Sequence, residues 1–275
     1  MAAYMANVLP SGWSYGPGGP VHESCIHHLQ KGESPGLDED GQLWIFLKDG
    51  KRRKPPQGDV TPDDVAEVRA NVVEGWVVYY EAIVSGGSNP HIKRFNAKWN
   101  IPTAPKRQSE QAIFFFTSIQ PNTTTSYPLI QPVLQWGNVP VQPSGGMYQW
   151  SANGYVIYTN QNGVVSFLST GVSPNIDVVD GKISYTNGSG TLECNSKSLP
   201  LKSYPECRAA RIVFEVYGAN SRDDYPTGDV IFKDIDIYAG PSDATVTHDR
   251  KMPIPDFKPY LTINDDGTVT ITPQS

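Results

Sequence analysis

Two largely apolar runs of the chain each carry a polar side chain where an apolar one would cost less. Pro128-Leu-Ile-Gln-Pro-Val-Leu-Gln-Trp136 carries Gln131 among Leu129, Ile130, Val133 and Leu134. Ala210-Arg-Ile-Val-Phe-Glu215 ends an apolar run on a carboxyl and continues into Val216 and Tyr217. Both predict buried strands, and burying an amide or carboxyl costs a few kcal/mol unless it is hydrogen-bonded. Around them the pattern is almost entirely β. Strands are predicted at 42–47, 75–84, 92–99, 111–118, 129–136, 147–158, 163–169, 181–186, 190–194, 210–217, 229–238, 245–248, 259–263 and 268–272. Asn162-Gly163, Asp180-Gly181, Asn187-Gly188 and Asp266-Gly267 supply turns between them. One helix is predicted: Thr61-Pro-Asp-Asp64 combines an N-cap, a first-position Pro and first-turn acids, and Val65, Val68 and Val72 follow at helical spacing to about Glu74.

About a dozen short strands without an internal repeat predict an all-β fold, a two-sheet antiparallel β-sandwich. Residues 1–40, rich in Gly, Pro, Ser and His, read as an irregular arm. The expected organisation is an N-terminal extension, 1–90, packed on a sandwich domain, 91–275, as one structural unit.

Composition agrees. Of 275 residues 18% are charged, with 25 Gly and 24 Pro, which favours short strands and tight turns over helical bundles. The net charge of −6 disfavours nucleic acid as a partner. The basic cluster Lys51-Arg-Arg-Lys54 precedes Pro55-Pro56 and reads as a solvated loop. No run is long and apolar enough for a membrane span, and Met1–Pro10 lacks the form of a secretory signal. The expected location is cytoplasmic, or secreted if the chain has been trimmed. Three cysteines suit a reducing compartment; Cys194 and Cys207, thirteen residues apart, leave a disulfide open. Asn122-Thr-Thr124 and Asn187-Gly-Ser189 are sequons that matter only in a secreted chain.

Gln131 and Glu215 resemble the catalytic Gln and Glu of the glutamic peptidases, the eqolisin family. In that family an Ile-Leu-Gln strand and an apolar strand ending in Ile-Ile-Glu face each other on one concave sheet. The resemblance runs from about Asn96 to Ile237 and implies a concanavalin A-like jelly roll. It also implies a hydrolase of peptidase type, with Glu215 as general acid/base activating water and Gln131 stabilising the oxyanion. Three family acids are missing. Phe116-Thr-Ser-Ile-Gln120 stands where the family has a Trp followed by Gly-Ile-Asp, Gln135 precedes Trp136 where it has Asp, and Trp150-Ser-Ala152 lacks its Glu. These departures point to neutral pH, another substrate or no proteolysis.

Gln135, Gln120, Phe116, Trp136, Trp150, Tyr148 and Tyr217 are the expected substrate-binding residues, in an aromatic-lined cleft for a peptide, a glycan or a small molecule. Two alternatives stay open: a non-catalytic, lectin-like glycan-binding module, and an enzyme converting a small molecule in the same cleft. His22-Glu-Ser-Cys-Ile-His-His28 places Cys25 and His27 on one face if extended, but supplies too few ligands for a metal without a second cluster. Asp223, Asp224 and Asp229 lack calcium-loop spacing. No nucleotide-binding glycine loop or Gly-x-Ser-x-Gly elbow occurs, and neither metal nor cofactor is expected.

Overall fold

The computed structural model describes residues 9–55, 60–70, 75–121, 128–159, 165–251 and 259–274. The chain opens with a hairpin, β1 (Trp13–Gly16) and β2 (Gly19–His22). A 3-10 turn at Glu23–Cys25 leads to β3 (Ile26–His28), followed by β4 (Ser34–Leu37), β5 (Leu43–Phe46) and β6 (Arg52–Arg53). The helix α1 (Pro62–Ala70) comes next, and then the long strands β7 (Trp76–Ser85), β8 (His91–Asn100), β9 (Ala112–Gln120), β10 (Leu129–Gly137) and β11 (Ser151–Thr159). The chain continues through β12 (Val165–Ser169), β13 (Ser173–Pro174), β14 (Val178–Thr186), β15 (Ser189–Cys194), β16 (Lys197–Lys202) and β17 (Ala209–Tyr217). It closes with β18 (Val230–Gly240), β19 (Thr245–Lys251), β20 (Tyr260–Ile263) and β21 (Val269–Thr272).

These strands form a β-sandwich. One sheet runs β19-β7-β17-β9-β10-β11-β12-β3, with β13 added to β11; the other runs β20-β21-β18-β8-β14-β15-β16-β4-β5-β6. Pairing is antiparallel except where β3 joins β12 and β4 joins β16, both parallel. The segment before His91 therefore contributes strands to both sheets. Sequence patterning did not anticipate β1–β4, β6 or β13, all of four residues or fewer: β1, β2, β4 and β13 carry Gly or Pro, and the basic cluster expected as a solvated loop supplies β6, which pairs with β5. It also missed β16, where Pro200 interrupts Leu199 and Leu201, both turned inward.

The packing between the sheets explains the apolar runs. Phe95, Trp99, Phe115, Leu134, Val156, Ile183, Phe214 and Phe232 are buried together there, each worth about 1.5–3 kcal/mol of burial. β14 alternates exposed and buried residues, as a strand with one wet face should, and turns into β15 through Asn187 and Gly188, both at positive φ. In contrast β9, β10 and β17 are buried along their whole length, so both faces of their sheet are covered. The second cover is the N-terminal segment. Tyr15, Val21 and Cys25 pack with Phe114, Phe116, Tyr155, Phe167, Val213 and Tyr217 on the face turned away from the sandwich core.

Helix α1 supports that cover by packing on β2. Its start has the expected cap: Asp64 N donates to Thr61 Oγ1 at 3.2 Å, and Thr61 N donates back to Asp64 Oδ2 at 2.8 Å. Residues 71–74, expected in the helix, lie outside the described residues, as do Asn122-Thr-Thr124 and Asn162-Gly163.

Candidate functional site

Alternation along a strand sorts the expected site residues between two faces. On β17, Ile212, Phe214 and Val216 enter the sandwich core, whereas Val213 and Tyr217 join the outer cluster under the N-terminal segment. Glu215, between Val213 and Tyr217 in the alternation, shares their face. On β10, Ile130, Leu134 and Trp136 face the core, and Leu129, Gln131, Val133 and Gln135 face outward. Phe116 and Gln120 fall on the outer face of β9 by the same rule.

Glu215 is fully buried. Tyr217 donates its hydroxyl to Glu215 Oε1 at 2.5 Å, and the Gly18 amide donates to both carboxyl oxygens, at 3.0 and 3.2 Å. Burial pushes the carboxyl up from 4.5 to about 8, against the pull of those two donors. Near neutral pH the group therefore holds its proton. The aromatic setting is dense: Tyr15 stacks on Tyr217 with centroids 5.2 Å apart, and Phe114, opposite Glu215 on β9, meets Tyr217 edge-on.

Gln131 is also fully buried, and neither end of its amide has a hydrogen-bond partner among the described residues. Ser118 Oγ and Asn153 Nδ2, on the neighbouring strands, are in the same condition. The register separates this polar patch from Glu215. Glu215 pairs with Phe114, which pairs with Gln135. The pairing of Ile130 with Ile119 and of Val133 with Phe116 sets Gln131 opposite Ser118, and Ser118 pairs with Arg211. Gln131 thus lies across from Arg211, four positions along β17 from Glu215. At ordinary strand spacing the two backbones are offset by about 13 Å along the strands and about 10 Å across them. The two side chains share a face but do not converge on one water molecule.

Gln135, level with Glu215, is fully engaged: its Nε2 donates to Val141 O at 2.8 Å, and its Oε1 accepts from the Tyr155 hydroxyl at 2.7 Å. Three expected groove residues lie elsewhere. Trp136, five positions from Gln131, points to the opposite face and packs in the core near Trp150 and Tyr148. Trp150 is half-buried against that core, and Tyr148 is largely exposed, its hydroxyl reaching Ser109 O at 3.4 Å. The odd spacing from Gln131 turns Trp136 to the core face, and Tyr148 and Trp150 precede β11 rather than lying on it.

Patterning missed several residues on the outer face. Arg211 and Glu81 form a buried ion pair, with Arg211 Nε 2.6 Å from Glu81 Oε1, and the guanidinium lies 5.1 Å from the Trp76 ring centroid. Arg211 stood in plain view beside Ile212; its partner, 130 residues away, did not. Gly18 gave no local signal because it sits in a glycine-rich turn.

The remaining candidates resolve into structural roles. The 3-10 turn breaks the alternation between Cys25 and His27: Cys25 joins the outer cluster, whereas His27 is lowered to about 4, chiefly by burial and then by Arg53. His22 Nδ1 accepts from the Ser24 amide, capping that turn. Cys194 and Cys207 are both free and buried, with no disulfide between them. Asp224 accepts from the Asn220 and Ser221 amides and pairs with Arg107 at 2.6 and 2.7 Å, which ties a loop down. Arg52 stacks over Trp44, and Arg53 pairs with Glu33. Among the described residues no three His, Cys, Asp or Glu side chains gather as a metal would need, and no helix is long and apolar enough to cross a membrane.

No family model and no curated protein matches the chain. Solved structures do. The chain is similar to scytalido-glutamic peptidase with a peptide-based transition-state analogue: TM-score 0.46, 14% identity, over 73% of this chain and 99% of that one. It is similar to SCP-B, a member of the eqolisin family of peptidases, in complex with the tripeptide Ala-Ile-His: TM-score 0.43, 14% identity, over 73% and 99%. A glycoside hydrolase family 16 endo-glucanase from Bacteroides ovatus aligns at TM-score 0.33 and 10% identity, over 77% and 83%. These neighbours are β-sandwich jelly rolls, and at such identities they transfer no activity.

Proposed function

We propose that the protein is a hydrolase of peptidase type whose reacting group is Glu215. The observation that carries this is a fully buried carboxyl raised to about 8, held by Tyr217 and Gly18 on an aromatic face. Hydrolysis of an amide requires a proton for the departing nitrogen, and a carboxyl that keeps its proton near neutrality can deliver it. Once ionised, the same group can accept a proton from the attacking water. Tyr217 fixes the carboxyl and moderates its basicity. Gln131 acts further along the face, where its amide, without a partner among the described residues, donates to a substrate carbonyl and accepts from a substrate N–H. An extended peptide of about five residues, lying diagonally across the strands, spans the roughly 16 Å between the two backbones. The family acids absent at Gln120 and Gln135 match a site that works without acidic surroundings.

A second reading is favoured by one observation: the N-terminal segment covers Glu215 completely. A small molecule enclosed with the carboxyl needs less displacement of that cover than a polymer does, and Glu215 would then shuttle a proton on a metabolite. Parallel incubation of the wild type and Glu215→Gln with a peptide library, a glycan array and a metabolite extract separates the possibilities. Peptide products formed by the wild type alone support the peptidase reading. Turnover of a metabolite with peptides untouched supports the second, and saturable glycan binding without turnover contradicts both.

A further inference from the structure

The contact between Gly18 and Glu215 bears on what the site binds. The turn Gly16-Pro17-Gly18-Gly19 brings a backbone N–H onto both carboxyl oxygens, as the main chain of a bound peptide would. We propose that the hairpin β1–β2 is a displaceable occupant of the Glu215 site, holding the place of a peptide ligand whose main chain is bare of side chains next to the carboxyl. The proposal rests on Glu215 being the reacting group and adds the class of ligand and the way the site opens.

Two features give the ligand class. A Cβ on Gly16 would lie 2.4 Å from Cζ of Phe167, and that ring is itself buried in the outer cluster, so it has little room to yield. Gly18 and Gly19 have φ of +93° and +126°, a conformation that side chains disfavour. The chain that fits over Glu215 is therefore glycine-rich and turned.

Two further features make the hairpin separable. It forms a two-stranded sheet of its own and is laddered into neither large sheet. Its base is closed by the Glu23 amide donating to Gly12 O at 2.8 Å, so it can move as one body. The 3-10 turn Glu23–Cys25 follows, and only after it does β3 enter the sheet. Among the contacts that hold the hairpin down are Tyr15 stacked on Tyr217, the Tyr15 amide on Asn138 O at 3.1 Å, Gly18 on Glu215, Val21 in the outer cluster and α1 packed on β2.

The test uses the full chain. Native-state hydrogen exchange of the wild type should show amides of 13–22 opening roughly tenfold or more faster than those of β9 and β17. Carbodiimide labelling of Glu215, read by mass spectrometry, should rise by about tenfold in Tyr15→Ala. A synthetic peptide of residues 12–23 should protect Glu215 from label in that variant, and the same peptide carrying Gly16→Val should not. Hairpin amides that exchange only together with β9 and β17 in the wild type overturn the proposal, whether or not Tyr15→Ala folds. Equal protection by both peptides, or by neither, overturns the ligand class. None of these readouts depends on turnover. A hairpin that opens over a Glu215 that hydrolyses nothing supports the proposal and retires the hydrolase reading.

Discussion

The Tyr217 hydroxyl donates to Glu215 Oε1 at 2.5 Å from two residues along the same strand, so β17 carries both the carboxyl and the group that steadies it. A hydrogen bond to the ionised form lowers a carboxyl pKa, and here burial outweighs it. Tyr217→Phe should therefore move the Glu215 titration further above about 8. The pH dependence of turnover, with the carboxyl band in difference infrared spectra, reads the shift; an unchanged or lower midpoint contradicts the assignment.

Glu215 also ties stability to pH. Folding raises its pKa from 4.5 to about 8, so the folded state binds the extra proton in between. Its contribution is greatest below 4.5, declines as pH rises, and is lost once pH passes about 8. Relative to Glu215→Gln, the wild type should lose roughly 5 kcal/mol over that window. His27 works in the opposite direction, since its lowered pKa costs stability at acidic pH, but it is common to both proteins and cancels in the difference. Denaturant unfolding at several pH values measures the difference; parallel curves would show that Glu215 does not titrate this way.

Gln131→Leu removes an amide that is fully buried and has no hydrogen-bond partner among the described residues. Stability should be unchanged or increase by about 1–2 kcal/mol, because no hydrogen bond to the described residues is lost and a desolvated polar group is removed. If the amide binds substrate, KM rises in the same variant. A loss of stability beyond about 1 kcal/mol would mean that the amide is satisfied in the folded protein.

Arg211 and Glu81 are each almost entirely buried and face each other across β17 and β7. Arg211→Met leaves Glu81 buried without its cation and should cost about 3–5 kcal/mol. Arg211→Met with Glu81→Leu should recover most of that loss, because both desolvation penalties disappear together. A double-mutant cycle by chemical denaturation decides it; additive losses would contradict a coupled pair.

The two-sheet architecture was legible because most strands carry their own signal. Ile113-Phe-Phe-Phe116 is apolar on both faces, and Ile183 and Tyr185 of β14 alternate with exposed positions. The face of each side chain follows from counting. Gln131 and Gln135 share a face, and Trp136 cannot join them. Register was not legible. The choice of Arg211 over Glu215 as the residue across from Gln131 depends on how β9 pairs with both neighbours, and no local pattern encodes that. The cover was not legible either, since Gly16-Pro17-Gly18-Gly19 reads as any turn until its contact, 197 residues away, is seen.

The most direct test of Glu215 as the reacting acid is the pH profile of peptide-library cleavage by wild type and Glu215→Gln, from about pH 3 to about pH 9. Cleavage by the wild type should fall on an alkaline limb near 8, and the variant should cleave nothing at any pH, with both proteins folded. Cleavage that survives in Glu215→Gln, or its absence from a folded wild type at every pH, would contradict it.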